Sequence, residues 1–351
     1  MEKQKLIISQ QMELELTKEI ELIKPDHLFV LTDENTQRLC WPLIKDYSCM
    51  GNAQSIVIPA GDENKSIITT QFVWHELQRM GATRHSLLVN LGGGMLTDLG
   101  GFAASTFKRG IAFINIPTTL LAMVDASVGG KTGVNYEGLK NEIGVFSNAR
   151  CVFINTTFLK TLDTQNLLSG YAEMLKHGLI NKDIAMWAEL LNFDIVQPDL
   201  QMLGRMVADS VAVKEQIVMQ DPLEQGLRKA LNLGHTIGHA FESLALQRKP
   251  ILHGYAVAYG LICELYLSTA NTGFPIDRMR QTVRFIREHY GMMPINCNDY
   301  PKLLQLMSHD KKNIGDTINF TLLGDLGDIC INQTATKKEI EEALDFYREG
   351  V

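Results

Sequence analysis

Six short apolar runs, "KLIIS", "HLFVLT", "SIVIPAG", "SLLVNLGGG", "AFINIPTT" and "CVFINT", fall within the first 156 residues. After them only "DTINFTLLGDLGDICI" reads as extended chain, in the form of a hairpin. Runs of this length, bounded by turn residues and nearly continuous in apolar side chains, read as strands. Between two of them "SIITTQFVWHELQRMG" has helical spacing and closes on Gly81, a natural residue to follow a helix end. Alternation of this kind predicts a mostly parallel sheet covered by helices, with ligands at the carboxyl ends of the strands. From about Thr164 the texture changes, and amphipathic patterns follow one another at 166–178, 199–221, 227–247, 254–272, 276–290 and 336–349. The expectation is an α/β domain over residues 1–163 and a mainly α-helical domain over 164–351. With no repeat or flexible linker visible, the two should pack closely around a cleft.

Bulk properties narrow the function. The chain has 351 residues, 45% of them hydrophobic and 21% charged, enough for a sizeable core. Its formal charge is −7, and Lys and Arg are scattered. Nucleic acid is therefore not an expected partner, because phosphodiester binding wants a basic stripe. A small anion remains possible, since a few local cations can outweigh the global sign. The six cysteines form no CxxC pair, which suggests reduced, mostly buried thiols in a cytoplasmic protein. The charged N-terminal stretch lacks the apolar core of a signal peptide. "YAVAYGLICELYL" comes nearest to a membrane span but is too short and contains Glu264.

Two glycine-rich turns suit an anion. "LLVNLGGGMLTDLGG" is a strand running into Gly92, Gly93 and Gly94 and then a helix. Glycines there can take positive φ and let the backbone approach a pyrophosphate, which helix N-terminal amides then face. The GxGxxG fingerprint is not met, because Thr97 stands at the third glycine position. "VGGKTG" at 128–133 looks like the end of a Walker A loop, but Asp125 occupies the place of its first glycine. Lys131, placed by Gly129 and Gly130 on a turn, remains a candidate phosphate ligand.

The second half holds the metal-type residues. "LNLGHTIGHAFE" sets His235 and His239 one helical turn apart, followed by Glu242. The residue after His235 is Thr236, so the HExxH pattern of zinc proteases is absent. "SGYAEMLKHG" brings Glu173, Lys176 and His177 within a turn, and "ILHGYAVAYG" puts His253 just ahead of a helix. One carboxylate and two imidazoles make a catalytic zinc set; solvated or capping side chains are the structural alternative. Within the 227–247 pattern Arg228, Asn232, His235 and His239 sit at steps of four, three and four, so they line one face of a helix. Such a face cannot be core unless it meets a polar cavity.

Eight segments in order, "PAGDENKS", "NLGGGMLTD", "KRGIAFINIPTTLLAMVDASVGGKTGVN", "GLKNEIG", "SGYAEMLKHG", "GLRKALNLGHTIGHAFE", "ILHGYAVA" and "SHDKKN", resemble the 3-dehydroquinate synthase family of sugar-phosphate cyclases over nearly the whole chain. The resemblance implies a dinucleotide-binding N-terminal domain and a metal-binding helical C-terminal domain. It implies Glu173, His235 and His253 as ligands of Zn2+ or Co2+, and His239 as a substrate-phosphate residue. NAD would meet Asp33, Asn35, Gly61, Asp62, Lys65, Gly93, Gly94 and Asp98, with Thr118, Thr119, Lys131, Lys140, Phe158 and Thr161 completing the pocket. Lys131, Asn141, His239 and Lys312, with Lys311 as the alternative to Lys312, would hold the phosphate, and Arg109 would reach it from a second subunit of a homodimer. Lys214 and Arg228 suit a carboxylate, and Asp125, Lys176 and Asn232 the ring hydroxyls. The sequence departs from the family pattern at Asp62, where Glu is usual, at Glu142, and in "TLDTQN" and "FSNA"; these bear on loop shape and NAD affinity.

The implied reaction converts 3-deoxy-arabino-heptulosonate 7-phosphate to 3-dehydroquinate and phosphate, a step of the shikimate pathway to aromatic amino acids. It runs by transient oxidation with NAD, phosphate elimination, re-reduction and intramolecular aldol closure. The rivals are another sugar-phosphate cyclase, a metal-dependent polyol dehydrogenase of similar plan, and a binding protein without turnover.

Overall fold

The computed structural model describes residues 4–137, 139–308 and 318–350. The chain forms two compact units, one of Met1–Asp163 with Leu200–Val211 and one of Thr164–Asp199 with Ala212–Val351.

The first unit is built on a six-stranded sheet: β1 (Lys5–Ile8), β2 (Leu28–Asp33), β3 (Gln54–Ile58), β4 (Leu87–Gly92), β5 (Ala112–Pro117) and, after the hairpin β6 (Lys131–Tyr136) and β7 (Leu139–Phe146), β8 (Cys151–Ile154). The order is β1-β8-β5-β4-β2-β3, and every pairing is parallel. All six predicted strands are present. β2 and β4 are buried at every residue, as central strands covered on both faces must be. β3 lies outside β2, while β5 and β8 lie on the other side of β4, so the order reverses between β2 and β4. The carboxyl ends of these two strands, Asp33 and Gly92, flank the crevice such a reversal opens.

Helices α1 (Met12–Ile23), α2 (Glu34–Leu39), α3 (Ile67–Arg79) and α4 (Gly94–Thr106) connect these strands. Ser66 caps the start of α3 by accepting from the Thr69 amide, and Gly81 at φ 81° follows its end, as its place in the sequence predicts. The β6–β7 hairpin was not predicted. Its first strand mixes Lys131, Thr132, Gly133 and Asn135, and β7 is exposed at seven of eight residues. A strand that buries little needs no apolar run to mark it.

The second unit contains α5 (Thr164–Ile180), α6 (Ile184–Asn192), the C-terminal half of α7 (Leu200–Gln220), α8 (His235–Leu246), α9 (His253–Asn271), α10 (Ile276–Tyr290), α11 (Tyr300–Ser308), the hairpin β9 (Asn319–Asp325) and β10 (Asp328–Thr334), and α12 (Lys337–Glu349). The predicted hairpin is present and antiparallel. α6 and α11, of nine residues each, were too short to stand out by periodicity.

One reading fails. Residues 227–247 are not one helix: Leu227–Asn232 is a 3-10 turn, and α8 begins at His235 after Gly234, whose φ is 79°. Arg228 and Asn232 therefore do not share a helix face with His235 and His239. The left-handed glycine resets the chain direction between them.

α8 and α9 touch through glycine. A Cβ on Gly260 would lie 2.7 Å from the Gly238 amide nitrogen, and one on Gly238 2.8 Å from the Ala256 carbonyl oxygen. Gly260→Ala should destabilise the protein by about 1–3 kcal/mol, because backbone cannot yield as a flexible side chain can. Urea unfolding checks this, and an unchanged midpoint would mean that the two helices separate freely.

Candidate functional site

In the first unit the predicted cofactor residues gather in two places. At the end of β2, Asp33 caps α2: its Oδ1 accepts the Thr36 amide at 2.8 Å, and Asn35 lies exposed on the first turn. At the end of β4, Gly93 is the N-cap of α4 and supplies no side-chain cap, so the first amides of that helix are left for an anion. Gly92, Gly93 and Gly94 all have ordinary φ, contrary to the positive values expected. They are needed for space: added Cβ atoms would press on Leu96 at 2.9 Å, Thr119 at 3.1 Å and Ala126 at 2.9 Å. Thr118 is buried and donates its amide to the Gly92 carbonyl at 3.0 Å; Phe158 is buried in the turn after β8, where Thr161 donates to its carbonyl at 2.7 Å.

The "PAGDENKS" loop meets the β6–β7 hairpin. Gly61 at φ 106° opens a 3-10 turn over Asp62–Asn64. Lys65, 5% exposed, donates to Asp98 on α4 at 2.6 Å and also to Asn141. Lys140 pairs with Asp62 at 3.2 Å, and Asn135 ties the hairpin to the loop by donating to the Asp62 carbonyl. Five predicted residues, Asp62, Lys65, Asp98, Lys140 and Asn141, thus form one polar cluster. Lys131 is exposed at the start of β6, and Asp125 lies in a π-helical turn, Ala122–Ala126. Arg109 is exposed at φ 70°, just before Gly110 at φ 110°, on a tight turn after α4.

In the second unit, Glu173, Lys176 and His177 on α5 are fully buried, not on a solvated face. Glu173 Oε1 lies 3.3 Å from Nε2 of His235 at the start of α8 and 3.7 Å from Nε2 of His253 at the start of α9. Lys176 pairs with the other carboxylate oxygen. His235, His239 and His253 each offer a ring nitrogen within 4.8 Å of the others. His235 Nδ1 is 3.0 Å from the Leu233 carbonyl, which can only accept, so Nδ1 carries the proton and Nε2 keeps its lone pair. His253 Nδ1 faces Glu242 at 3.4 Å, which turns its Nε2 toward Glu173. A carboxylate or carbonyl behind each imidazole is the arrangement that fixes metal-binding histidines.

The electrostatics suit a cation. Burial opposes ionisation of Glu173, but Lys176 and His235 outweigh it and hold the carboxyl well below its usual range. Burial pushes His235 down to about 4, despite Glu173, leaving a neutral imidazole. Burial opposes the charge on His253, but the Glu173 and Glu242 carboxylates beside it overcome this and raise it to about 10. The proton it keeps between two carboxylates is charge that a divalent ion would replace. With Lys176 on Oε2, Glu173 Oε1 is the oxygen left without a well-formed hydrogen bond, which is expensive for a buried carboxylate oxygen unless a metal binds there.

In the same unit Lys214 on α7 and Arg228 on the 3-10 turn before α8 are buried. Asn232 donates to Glu224 at 3.0 Å. Asp221 organises the preceding loop by accepting from the amides of Gln225, Gly226 and Arg228 at 2.9, 2.6 and 3.0 Å. Lys311 and Lys312 lie outside the described residues. The sequence reading missed Asp221 and Glu224, and gave Glu242 no role. For Glu242 the signal was there, three residues after His239.

Comparison with known proteins gives the fold first. A 2-deoxy-scyllo-inosose synthase complexed with carbaglucose-6-phosphate, NAD+ and Co2+ superimposes with a TM-score of 0.86 at 24% identity, over 99% of this chain and 96% of that one. The 2-epi-5-epi-valiolone synthase of Streptomyces hygroscopicus, with NAD+ and Zn2+ bound, gives 0.85 at 24%, over 99% and 97%. At that identity the likeness is one of fold. In sequence, the 3-dehydroquinate synthase N-terminal model matches residues 55–169 and the C-terminal model residues 170–313. The 3-dehydroquinate synthase of Parabacteroides distasonis is 54% identical over 351 residues, 100% of this chain and 99% of that one. The chain belongs to the 3-dehydroquinate synthase family.

The Lys65–Asp98 pair makes a direct prediction. Asp98→Ala leaves a buried ammonium and should cost about 1–3 kcal/mol, more than the double change Lys65→Met with Asp98→Leu, which removes both charges. Thermal unfolding of the three proteins tests the order.

Proposed function

We infer that this chain catalyses its family's reaction, converting 3-deoxy-arabino-heptulosonate 7-phosphate to 3-dehydroquinate and phosphate, and we assign the work to its residues as follows. It is an NAD- and divalent-metal-dependent, phosphate-eliminating cyclase, which places it in the shikimate pathway. The observation that carries the assignment is the buried Glu173 carboxylate facing two imidazole Nε2 atoms at 3.3 and 3.7 Å. Glu173, His235 and His253 hold the metal, and zinc and cobalt fit this donor set alike. NAD is held by Asp33, Asn35, Asp62, Lys65, Asp98 and Lys140, with the amides at Gly93 and Gly94 toward its pyrophosphate. When bound, the metal acidifies a substrate alcohol and NAD takes up and later returns a hydride.

The chain's own residues bind and orient. Lys131, Asn141, His239 and Lys312 hold the phosphate, whose oxygens serve as the base for the proton lost in its own elimination. Lys214 and Arg228 hold the carboxylate, where a planar guanidinium binds in two places. Asp125, Lys176 and Asn232 hold the ring hydroxyls. Fixing the open-chain product for ring closure is then a matter of orientation. Arg109 completes the phosphate site from the partner subunit of a homodimer; its exposure on a tight turn supports this. All six cysteines are free thiols, three of them buried rather than most, which fits a cytoplasmic setting.

Phosphate release from heptulosonate 7-phosphate, followed with NADH absorbance at substoichiometric NAD, tests the reaction. Many turnovers per NAD without NADH build-up are expected. NADH accumulation with a simple polyol would replace the cyclase by a dehydrogenase. His235→Ala should lose metal and activity together, and full metal occupancy in that variant would sink the ligand assignment. Lys131→Ala should mainly raise KM for the phosphorylated substrate.

A further inference from the structure

α8 starts without a cap of its own. Its N-cap is Gly234, which has no side chain to offer, and the first amides of a helix have no partner within it. Glu264 supplies the missing acceptors from the neighbouring helix. It sits on α9 among Leu261, Ile262, Cys263 and Leu265, all fully buried, and is itself wholly buried. Its Oε2 accepts the Gly234 amide at 2.6 Å and its Oε1 the Ile237 amide at 3.1 Å. A carboxylate in such surroundings is costly unless its oxygens are satisfied, and a helix N-terminus is where a negative charge is best placed. The reach is short because Gly260, one turn before Glu264, lets α9 lie against the Gly234–Gly238 backbone.

The two amides held by Glu264 bracket His235. The Leu233 carbonyl that orients the His235 ring precedes the same turn. We propose that Glu264 is a positioning residue for the metal centre: by clamping the first turn of α8 from α9, it fixes the aim of His235 and, one turn on, of His239. This rests on the assignment of His235 as a metal ligand. A carboxylate needed only for stability would lower the melting temperature and leave metal affinity alone, so the two roles separate by experiment.

The test uses Glu264→Gln, nearly isosteric, which keeps one acceptor and turns an amide toward the other backbone N–H, and Glu264→Met, which removes both acceptors. Zn2+ affinity is measured by competition with a chromophoric chelator, the visible spectrum is recorded on Co2+-loaded protein, and Tm is taken without metal. Thr282→Val on α10, which removes the hydroxyl that Trp187 donates to, serves as a stability control. Both Glu264 variants should bind Zn2+ about tenfold to a hundredfold more weakly, Met more than Gln, with a shifted Co2+ spectrum. Thr282→Val should lose Tm and keep both. If Glu264→Met does not fold, Glu264→Gln carries the comparison. Wild-type affinity and spectrum in Glu264→Gln, with metal lost in His235→Ala, would overturn the positioning role alone. Wild-type affinity in His235→Ala would overturn the ligand assignment and this proposal with it.

Discussion

The helical unit is organised around one expensive fact, a carboxylate with no solvent exposure. Glu173 must be compensated on every side, and α5, α8 and α9 each bring something to it: Lys176 from its own helix, His235 and His253 from the first residues of the other two. Three helices can converge on one side chain only if their backbones approach closely. That explains the glycines at 238, 254 and 260, where a Cβ would strike a neighbouring backbone, and Gly234, where it would press on Leu261 at 2.8 Å. Glu242 and Glu264 extend the same logic outward, one behind His253 and one beneath the turn of His235. The metal-type centre is thus the inner layer of a polar network whose outer layer holds backbone and rings in place.

Such a core is poor design for stability alone. Lys176, Lys214, Arg228, Glu173 and Glu264 are each buried in a domain of about half the chain. Apolar side chains of similar volume would pack at least as well without the desolvation cost. In the sheet unit Lys65 is also buried, but it is paired with Asp98 at 2.6 Å. That unit's central strands are mainly apolar, with Thr32 and Asn90 as buried exceptions, and its charged residues collect where strands end and loops begin, at Asp33, Asp62, Lys65 and Asp98. The Lys65–Asp98 pair lies outside the strands, in a loop and on α4, whereas the helical unit carries charge inside its helices because the chemistry proposed for it needs groups shielded from water.

The sequence was legible where burial is two-sided. The strands stood out by short, mostly apolar runs, clearest at β2 and β4, which are buried at every residue, and the end of α3 was marked by Gly81. β7 was invisible for the opposite reason, since a strand exposed at seven of eight residues imposes no pattern, and β6 mixes Lys131, Thr132, Gly133 and Asn135 with few apolar residues. The break before α8 was missed because periodicity counts residues and does not register a single left-handed glycine; Arg228 and Asn232 keep the spacing of a helix while lying on a 3-10 turn. Glu264 carried a clear physical signal, a lone charge in an otherwise apolar helix, but that signal bears on membrane insertion and on function alike. Only the distance to the Gly234 amide separates the two.

Fold does not decide the substrate. Synthases of 2-deoxy-scyllo-inosose and 2-epi-5-epi-valiolone share this architecture at TM-scores of 0.86 and 0.85. The discrimination must lie in side chains, and on the proposed assignment it lies in Lys214 and Arg228. Two cations in the same helical unit, 5% and 2% exposed, are a heavy desolvation cost for a protein whose substrate carries its negative charge on phosphate alone. A substrate with a carboxylate as well as a phosphate repays that cost through charge-assisted hydrogen bonds. It also disfavours analogues lacking the carboxylate, since these forgo the charge-assisted hydrogen bonds that the carboxylate makes. The same two residues that make the unit less stable than it could be are, on this argument, what separates its substrate from the other sugar phosphates the fold can accept.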